Sequence, residues 1–243
     1  VVDSPYSIVK ELVENSIDAK STKIHLHVYN GGKNRIFIKD NGCGMTSDDL
    51  INSFERFATS KIKSLKDLSN INTLGFRGEA LPSISSISTI TISTKHKNDN
   101  ASQLFLEYGN KGNIKPSALQ NGTEIDITNI FNNVPARKKF LKSDSYEYRK
   151  ILNIFKKFLV SYPEIEFILY HNEKKIYNLP SSNLKDRLTD IFGSDVKNNL
   201  IEVTYKKEGI SIYGYIGNLS LVKKRRGNQL FYLNNRYIKN RLI

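Results

Sequence analysis

Lys10-Glu11-Leu12-Val13-Glu14-Asn15-Ser16-Ile17-Asp18-Ala19, answered further on by Asp40-Asn41-Gly42-Cys43-Gly44, decides how this chain is read. Ser4-Pro5 offers a helix start, with serine as N-cap and proline at the first helical position. From there Ile8, Val9, Leu12, Val13, Ile17 and Ala19 cover a broad half of a wheel turning about 100° per residue. Glu11, Asn15 and Asp18 project together from one flank of that face, while Lys10 and Glu14 are expected on the outward side. The second stretch places a carboxylate and two glycines where a strand must turn sharply.

These residue types admit a nucleotide pocket. A carboxylate at Glu11 can polarise an attacking water, and the amide oxygen of Asn15 can ligate a magnesium ion bridging phosphates. A strand-end carboxylate at Asp40 can accept from an exocyclic amine, with Gly42 and Gly44 letting backbone approach a flat ring. The same residues equally suit a solvated helical stripe and an ordinary Asn-Gly turn. Gly75-Phe76-Arg77-Gly78-Glu79-Ala80 sits where a helix N-terminus would offer free N–H groups to phosphate oxygens, although no Gly-Lys-Ser/Thr follows as in a Walker loop.

Around these segments the pattern alternates between helices and strands. Ile24, Leu26 and Val28 alternate with His25 and His27 as a half-buried strand, Gly31-Gly32 turns, and Arg35–Lys39 runs as a strand into Asp40. Thr46 with Asp49 resembles a capping box opening a helix to about Arg56. Strands are expected at Thr89–Thr94, Gln103–Tyr108 and Thr123–Thr128, a long helix at Ser145–Val160, and a hairpin from Glu166–Tyr170 and Lys174–Asn178. Pro180-Ser181-Ser182-Asn183 reads as a linker, before a helix at Leu184–Phe192 and strands at Leu200–Tyr205, Ser211–Ile216 and Gln229–Leu233. Short turns between many strand pairs predict a mixed rather than parallel sheet.

Composition narrows the classes. The chain has 243 residues, one cysteine and four histidines, so it has room for a core but forms no internal disulfide and shows no zinc spacing. That cysteine usage suggests a reducing, intracellular setting. No apolar run approaches the roughly 18 residues of a membrane span, and no signal-peptide pattern is present. The net charge of +13 points to a polyanionic partner such as nucleic acid, although richness in Lys, Asn, Ile and Tyr also follows from an AT-rich genome. Lys223-Lys224-Arg225-Arg226 and Arg236, Lys239 and Arg241 are the basic clusters, set beside Tyr232 and Tyr237, whose alternation suits packing more than base stacking.

Taken together, the segments resemble the MutL family of DNA mismatch-repair proteins, within the ATPase superfamily that also holds type II topoisomerase ATPase domains, the large heat-shock chaperone and sensor histidine kinases. Val9–Ala19 and Asp40–Met45 point to the superfamily, while Ala58-Thr59-Ser60-Lys61-Ile62, Thr73–Leu81 and Asn133-Val134-Pro135-Ala136-Arg137-Lys138-Lys139-Phe140-Leu141 single out MutL. The likeness runs the whole chain, to Tyr232-Leu233-Asn234-Asn235-Arg236-Tyr237-Ile238. It implies an α/β (α+β) fold, a two-layer sandwich with a mixed β-sheet covered by helices. Residues 1–179 would form that ATPase domain and residues 180–243 a partial α/β transducer domain.

The resemblance also implies roles. Glu11 would be the general base, Asn15 the magnesium ligand, and Asp40 the holder of the adenine amino group, with Gly42 and Gly44 shaping the pocket and Thr123 beneath the ring. Thr59, Ser60 and Lys61 would belong to a lid, and Gly75, Phe76, Arg77, Gly78, Glu79 and Ala80 to the phosphate-contacting segment. Cys43 would be a small wall residue. ATP and magnesium are the implied cofactors. The implied partners are DNA, held through its backbone by Lys223, Lys224, Arg225, Arg226, Arg236, Lys239 and Arg241, a MutS-type mismatch-recognition protein, and a second subunit in an ATP-driven homo- or heterodimer. No membrane is implied. The setting would be the bacterial cytoplasm and nucleoid, which the Gly75–Pro82 run favours, or a eukaryotic nucleus.

Three departures from the family bear on catalysis. Phe57 stands where histidine is usual, the family's N-terminal arm is absent except for Val1-Val2, and its γ-phosphate-contacting lysine is expected beyond Ile243. An excised piece that binds ATP better than it hydrolyses it is therefore expected. The readings weighed against this one are another superfamily member, such as a topoisomerase ATPase subunit, and a nucleotide-binding scaffold without useful turnover.

Overall fold

A computed structural model of the chain describes residues 2–55, 73–75, 78–222 and 229–239. Two compact units form, one from Val1–Phe155 and Glu166–Asn178, the other from Lys156–Ile165 and Leu179–Ile243.

The first unit opens with α1 (Pro5–Asp18), β1 (Lys23–Tyr29) and β2 (Arg35–Asp40), then α2 (Ser47–Asn52), α3 (Ala80–Ser85), β3 (Thr89–Lys95) and β4 (Ser102–Glu107). Short β5 (Asn110–Lys111) and β6 (Lys115–Pro116) precede β7 (Gly122–Thr128), α4 (Pro135–Phe140), α5 (Asp144–Ser161), β8 (Glu166–His171) and β9 (Lys174–Leu179). Nine strands make one sheet in the order β5-β4-β3-β7-β2-β1-β8-β9, with β6 on β4. β1 lies antiparallel to β2 and parallel to β8, so the sheet is mixed.

Strict alternation makes this a two-layer structure. In β1, Ile24, Leu26 and Val28 are fully buried, as are Ile36 in β2, Ile90 and Ile92 in β3, and Ile127 in β7. The apolar stripe of α1 (Ile8, Val9, Leu12, Val13, Ile17) supplies the opposing layer, and burying each such side chain is worth about 1.5–3 kcal/mol. On the far face of the sheet the intervening residues pair across strands. Arg35 grips Asp126 through two bonds of 2.7 and 2.8 Å, Lys39 meets Glu124, and Lys23 meets Glu166 at 2.7 Å. These cations each carry an acidic partner, which leaves this face no uncompensated basic patch at those positions.

Two local expectations are corrected. The helix opened by Thr46 is capped as anticipated, the Thr46 hydroxyl accepting from the Asp49 N–H at 3.1 Å, but it ends at Asn52 rather than near Arg56. Ser53 Oγ donates to the Leu50 carbonyl there and competes with further helical bonding. Ser4 occupies the N-cap position of α1, yet its hydroxyl donates to Asp3 at 3.1 Å and caps no N–H.

The second unit contains α6 (Leu184–Phe192), α7 (Ser194–Lys197), the hairpin β10 (Leu200–Lys207) and β11 (Ile210–Gly217), and the small hairpin β12 (Phe231–Leu233) and β13 (Arg236–Ile238). Asn234 and Asn235 join β12 to β13 with φ of 48° and 63°, the left-handed pair a type I′ turn requires. Pro180–Asn183 is not a loose linker. Ser182 N–H donates to the Pro163 carbonyl at 2.9 Å, and Asn183 caps α6 by accepting the Asp186 N–H. Arg187 of α6 is fully buried and donates to the carbonyls of Pro180 at 2.6 Å, Pro163 at 2.8 Å, Ile165 at 3.0 Å and Leu159 at 3.4 Å. Burial lowers its pKa, and the carbonyl cage replaces the water it has lost.

Candidate active site

The site is built where the end of α1 meets the end of β2. α1 closes with Lys20 N–H on the Ile17 carbonyl and Ser21 N–H on the Ser16 carbonyl, Lys20 taking φ 61°, a Schellman turn. The Asp40–Gly44 turn docks on that helix end, Cys43 N–H donating to the Ala19 carbonyl at 2.9 Å. Close approach explains Gly42, since a Cβ there would stand 2.6 Å from Ser21 Oγ and 2.7 Å from the Ala19 carbonyl oxygen. Gly44 takes φ 66° against the Lys95 carbonyl. The Asn41 amide completes the junction by accepting the Thr22 and Lys23 N–H groups, both at 2.9 Å.

This docking seals Asp40, only 7% exposed, against α1. Ser16 Oγ donates to Oδ2 at 2.8 Å, and the Gly42 N–H donates to Oδ1 at 2.8 Å. Burial pushes the Asp40 carboxyl above the ordinary range, with the Gly42 and Ser16 donors pulling partly against it. Across the ladder Asp40 pairs with Thr123, whose buried hydroxyl lies 3.2 Å from that of Thr94. Thr94 Oγ1 in turn accepts the Met45 N–H at 2.8 Å, so β2, β3, β7 and the glycine turn share one polar cluster. Gly122 takes φ 73°, and a Cβ there would overlap the backbone carbonyl oxygen of Asp40. Gly122→Ala is therefore expected to cost about 2–4 kcal/mol of stability, read by urea unfolding, because both strain and overlap fall beside the carboxylate.

On α1, Glu11 and Asn15 are both half-buried. Lys10 Nζ reaches Glu11 at 3.1 Å and Glu14 at 2.8 Å. The expected outward position of Glu14 is corrected, because its side chain is only 12% exposed against 38% for Lys10. Burial raises the Glu14 pKa. For Lys10, burial works against the charge, but the Glu14 and Glu11 carboxylates outweigh it and raise the pKa. Asn15 offers a single hard oxygen beside the Glu11 carboxylate, a donor set that fits magnesium, which keeps most of its waters and phosphate oxygens.

α3 lies against α1, with Gly78 at φ 60° and Glu79 exposed at the N-cap before Ala80. Gly75 is described, whereas Phe76, Arg77, Thr59, Ser60 and Lys61 lie outside the described residues, as do Lys223, Lys224, Arg225, Arg226 and Arg241. Cys43 is exposed at the turn. Arg236 and Lys239 are exposed on and after β13. Near them Lys157 sits 3.7 Å from the Tyr237 ring centre, its pKa lowered by burial and by Lys239. Tyr232 donates its hydroxyl to the Lys157 carbonyl at 3.0 Å, a packing role rather than a stacking platform.

Sequence pattern alone does not mark Ser16, Thr94, Gly122 or Lys157 as site residues. Ser16 left a trace, as a polar residue on the buried stripe of an amphipathic helix. Thr94 left none, because only the sheet register brings it to Thr123.

Comparison with known proteins places the chain in a family. Residues 3–138 match the family described as histidine kinase-, DNA gyrase B-, and HSP90-like ATPase, and residues 188–243 match the DNA mismatch repair protein, C-terminal domain. The DNA mismatch repair protein MutL of Chlorobium chlorochromatii is 42% identical over 245 residues, covering 100% of this chain and 38% of that protein. MutL of Clostridium tetani is 43% identical over 245 residues, covering 100% and 40%. The chain thus spans about two fifths of the length of these curated relatives. Among solved structures, the Aquifex aeolicus MutL ATPase domain complexed with ADP superposes with a TM-score of 0.75 at 30% identity, covering 100% of this chain and 85% of that one. With the ATPase family matched across more than half its residues and this fold shared, the chain belongs to the MutL family of DNA mismatch-repair proteins.

Proposed function

We propose that this chain binds ATP with magnesium, hydrolyses it slowly, and uses the bound nucleotide to gate a dimer that closes on DNA. The observation that carries the reading is the sealed Asp40 carboxylate, held by Ser16 and Gly42 next to the helix bearing Glu11 and Asn15. A buried acceptor at a strand end, ringed by glycine backbone, suits the amino group of adenine. The Aquifex relative's ADP complex supports the same class of ligand.

In this reading Asp40 accepts from the adenine amine, Gly42 and Gly44 admit the ring, and Thr123 lies beneath it. Backbone N–H groups of the segment from Gly75 to Ala80 donate to phosphate oxygens at the start of α3, except that of Gly75 itself, which is given to Asp18 at 3.0 Å. Glu11 orients and deprotonates the attacking water. Asn15 would hold magnesium, which when bound neutralises charge developing on the transferred phosphoryl group. Thr59, Ser60 and Lys61 would close over the phosphates. Residues 1–179 act as the ATPase domain and residues 180–243 as part of a transducer domain that passes the nucleotide state onward.

Downstream, dimer closure couples a MutS-type mismatch-recognition protein to later repair factors, in the cytoplasm of a bacterium. DNA is held without sequence preference by Arg236, Lys239 and the Lys223–Arg226 and Arg241 positions. The test has two arms. Magnesium-dependent phosphate release from ATP must be measurable and must depend on Glu11; a chain that binds ATP but releases no phosphate would be a scaffold instead. DNA affinity must fall linearly with salt on logarithmic axes, and Lys239→Glu should weaken it alike on unrelated sequences.

A further inference from the structure

Asp18 is the last residue of α1, and its carboxylate stands at the unfavourable end of that helix. The C-terminus of a helix carries partial negative charge, and no basic residue of the last turn offsets it. Two of its hydrogen-bond donors come from a distant segment. Asp18 Oδ1 accepts the Leu74 N–H at 2.8 Å and Oδ2 accepts the Gly75 N–H at 3.0 Å. The Thr73 hydroxyl donates to the Gly75 carbonyl at 2.8 Å, turning the same short stretch back on itself. Two N–H groups on one carboxylate form a charge-assisted clamp on backbone, which a surface acid without a positional role would not need.

The clamp lies on the flank of α1 that carries Asn15 and Glu11, about one and two turns earlier respectively. Gly75 opens the segment that continues to Gly78, Glu79 and α3, which itself rests on α1. A backbone N–H contributes more to phosphate binding when its direction is set before the ligand arrives, because ordering a loop on binding subtracts from affinity.

We propose that Asp18 is a positioning residue that fixes the entry of the phosphate-contacting segment to the helix bearing Glu11 and Asn15. The inference rests on the reading of this site as an ATP pocket. One helix then sets the relative placement of base, metal ligand and phosphate donors, and Asp18 acts on the phosphates through Leu74 and Gly75 without touching them.

The test separates phosphate from adenine. Asp18→Asn in the 243-residue chain keeps the side-chain shape but leaves one acceptor oxygen and sets an NH2 against the second N–H. ATP affinity is expected to fall about tenfold or more, while adenosine affinity, measured by ligand-observed NMR, stays within a factor of about two. Equal losses for ATP and adenosine, or no loss for either, would overturn the proposal. Amide exchange on the unmodified chain supplies a readout independent of how the variant folds. Leu74 and Gly75 amides should be protected, and exchange at the rate of a free peptide would sink the idea. Failure of the pocket reading looks different, since Asp40→Asn would then leave ATP binding intact whatever Asp18 does.

Discussion

Glu11→Ala is expected to lower the turnover of ATP by at least about a hundredfold while leaving ATP affinity within a few-fold, since a positioned general base contributes roughly 10²–10⁴ to rate. The separation of the two readouts follows from the structure. Glu11 is half-exposed and pairs with Lys10, which keeps its shorter 2.8 Å bond to Glu14 when Glu11 is removed. The fold therefore loses little, because ion pairs this exposed contribute at most about 1 kcal/mol. The proposed adenine seat at Asp40 is built from Ser16, Gly42 and the strand ladder, and no hydrogen bond of that cluster comes from Glu11. Phosphate release and equilibrium ATP binding, measured on the same preparations, check the outcome. Equal turnover in both proteins would remove Glu11 from its role.

Asp40→Asn carries the other large effect, loss of detectable adenine-nucleotide binding without loss of the fold. Asn keeps an oxygen for the Gly42 N–H and gains an NH2 that the Ser16 hydroxyl can accept, but it presents a donor where adenine also donates. The stability side has a definite sign. Burial raises the folded-state pKa of Asp40, so its contribution to stability is fully present below the unfolded-state value and is withdrawn as pH rises through the folded value. At neutral pH the ionised carboxylate is therefore a cost, and the melting temperature of Asp40→Asn should equal or exceed that of the unmodified chain. The same raised pKa predicts that nucleotide affinity weakens on acidification before ordinary exposed carboxylates titrate. A pH series of ATP binding, with Asp40→Asn as the blank, reads this directly. Unchanged ATP affinity in the variant would dismantle the pocket.

Much of the fold was legible because its signals are local. The alternation in Lys23–Tyr29 and Arg35–Asp40 and the stripe of α1 each state a period and a buried face, and the structure buries those residues. The Asn234-Asn235 pair was equally local and marks the turn into β13, a strand the pattern reading passed over. Glu14 departs from its wheel position because a wheel assigns faces relative to one apolar stripe and takes no account of burial by other side chains, among them Lys10 at 2.8 Å. Pro180–Asn183 has the composition of a linker, yet the carbonyls that Arg187 collects make it part of a packed cage.

For the site, the sequence by itself determined the chemical inventory: a carboxylate and an amide on one helical flank, an acid with two glycines at a strand end, and the motifs that mark the family. Spacing along a regular element suffices for that, because helix and strand periods are properties of the backbone. Only the tertiary structure decided which groups meet. The glycine turn seated on the end of α1 joins Ser16 to Asp40, the β2-β7-β3 register joins Thr123 to Thr94, and the return of the chain at Leu74 gives Asp18 its N–H partners. Each contact spans residues far apart in the chain, where the cost of closure is met by packing, and no local pattern encodes that.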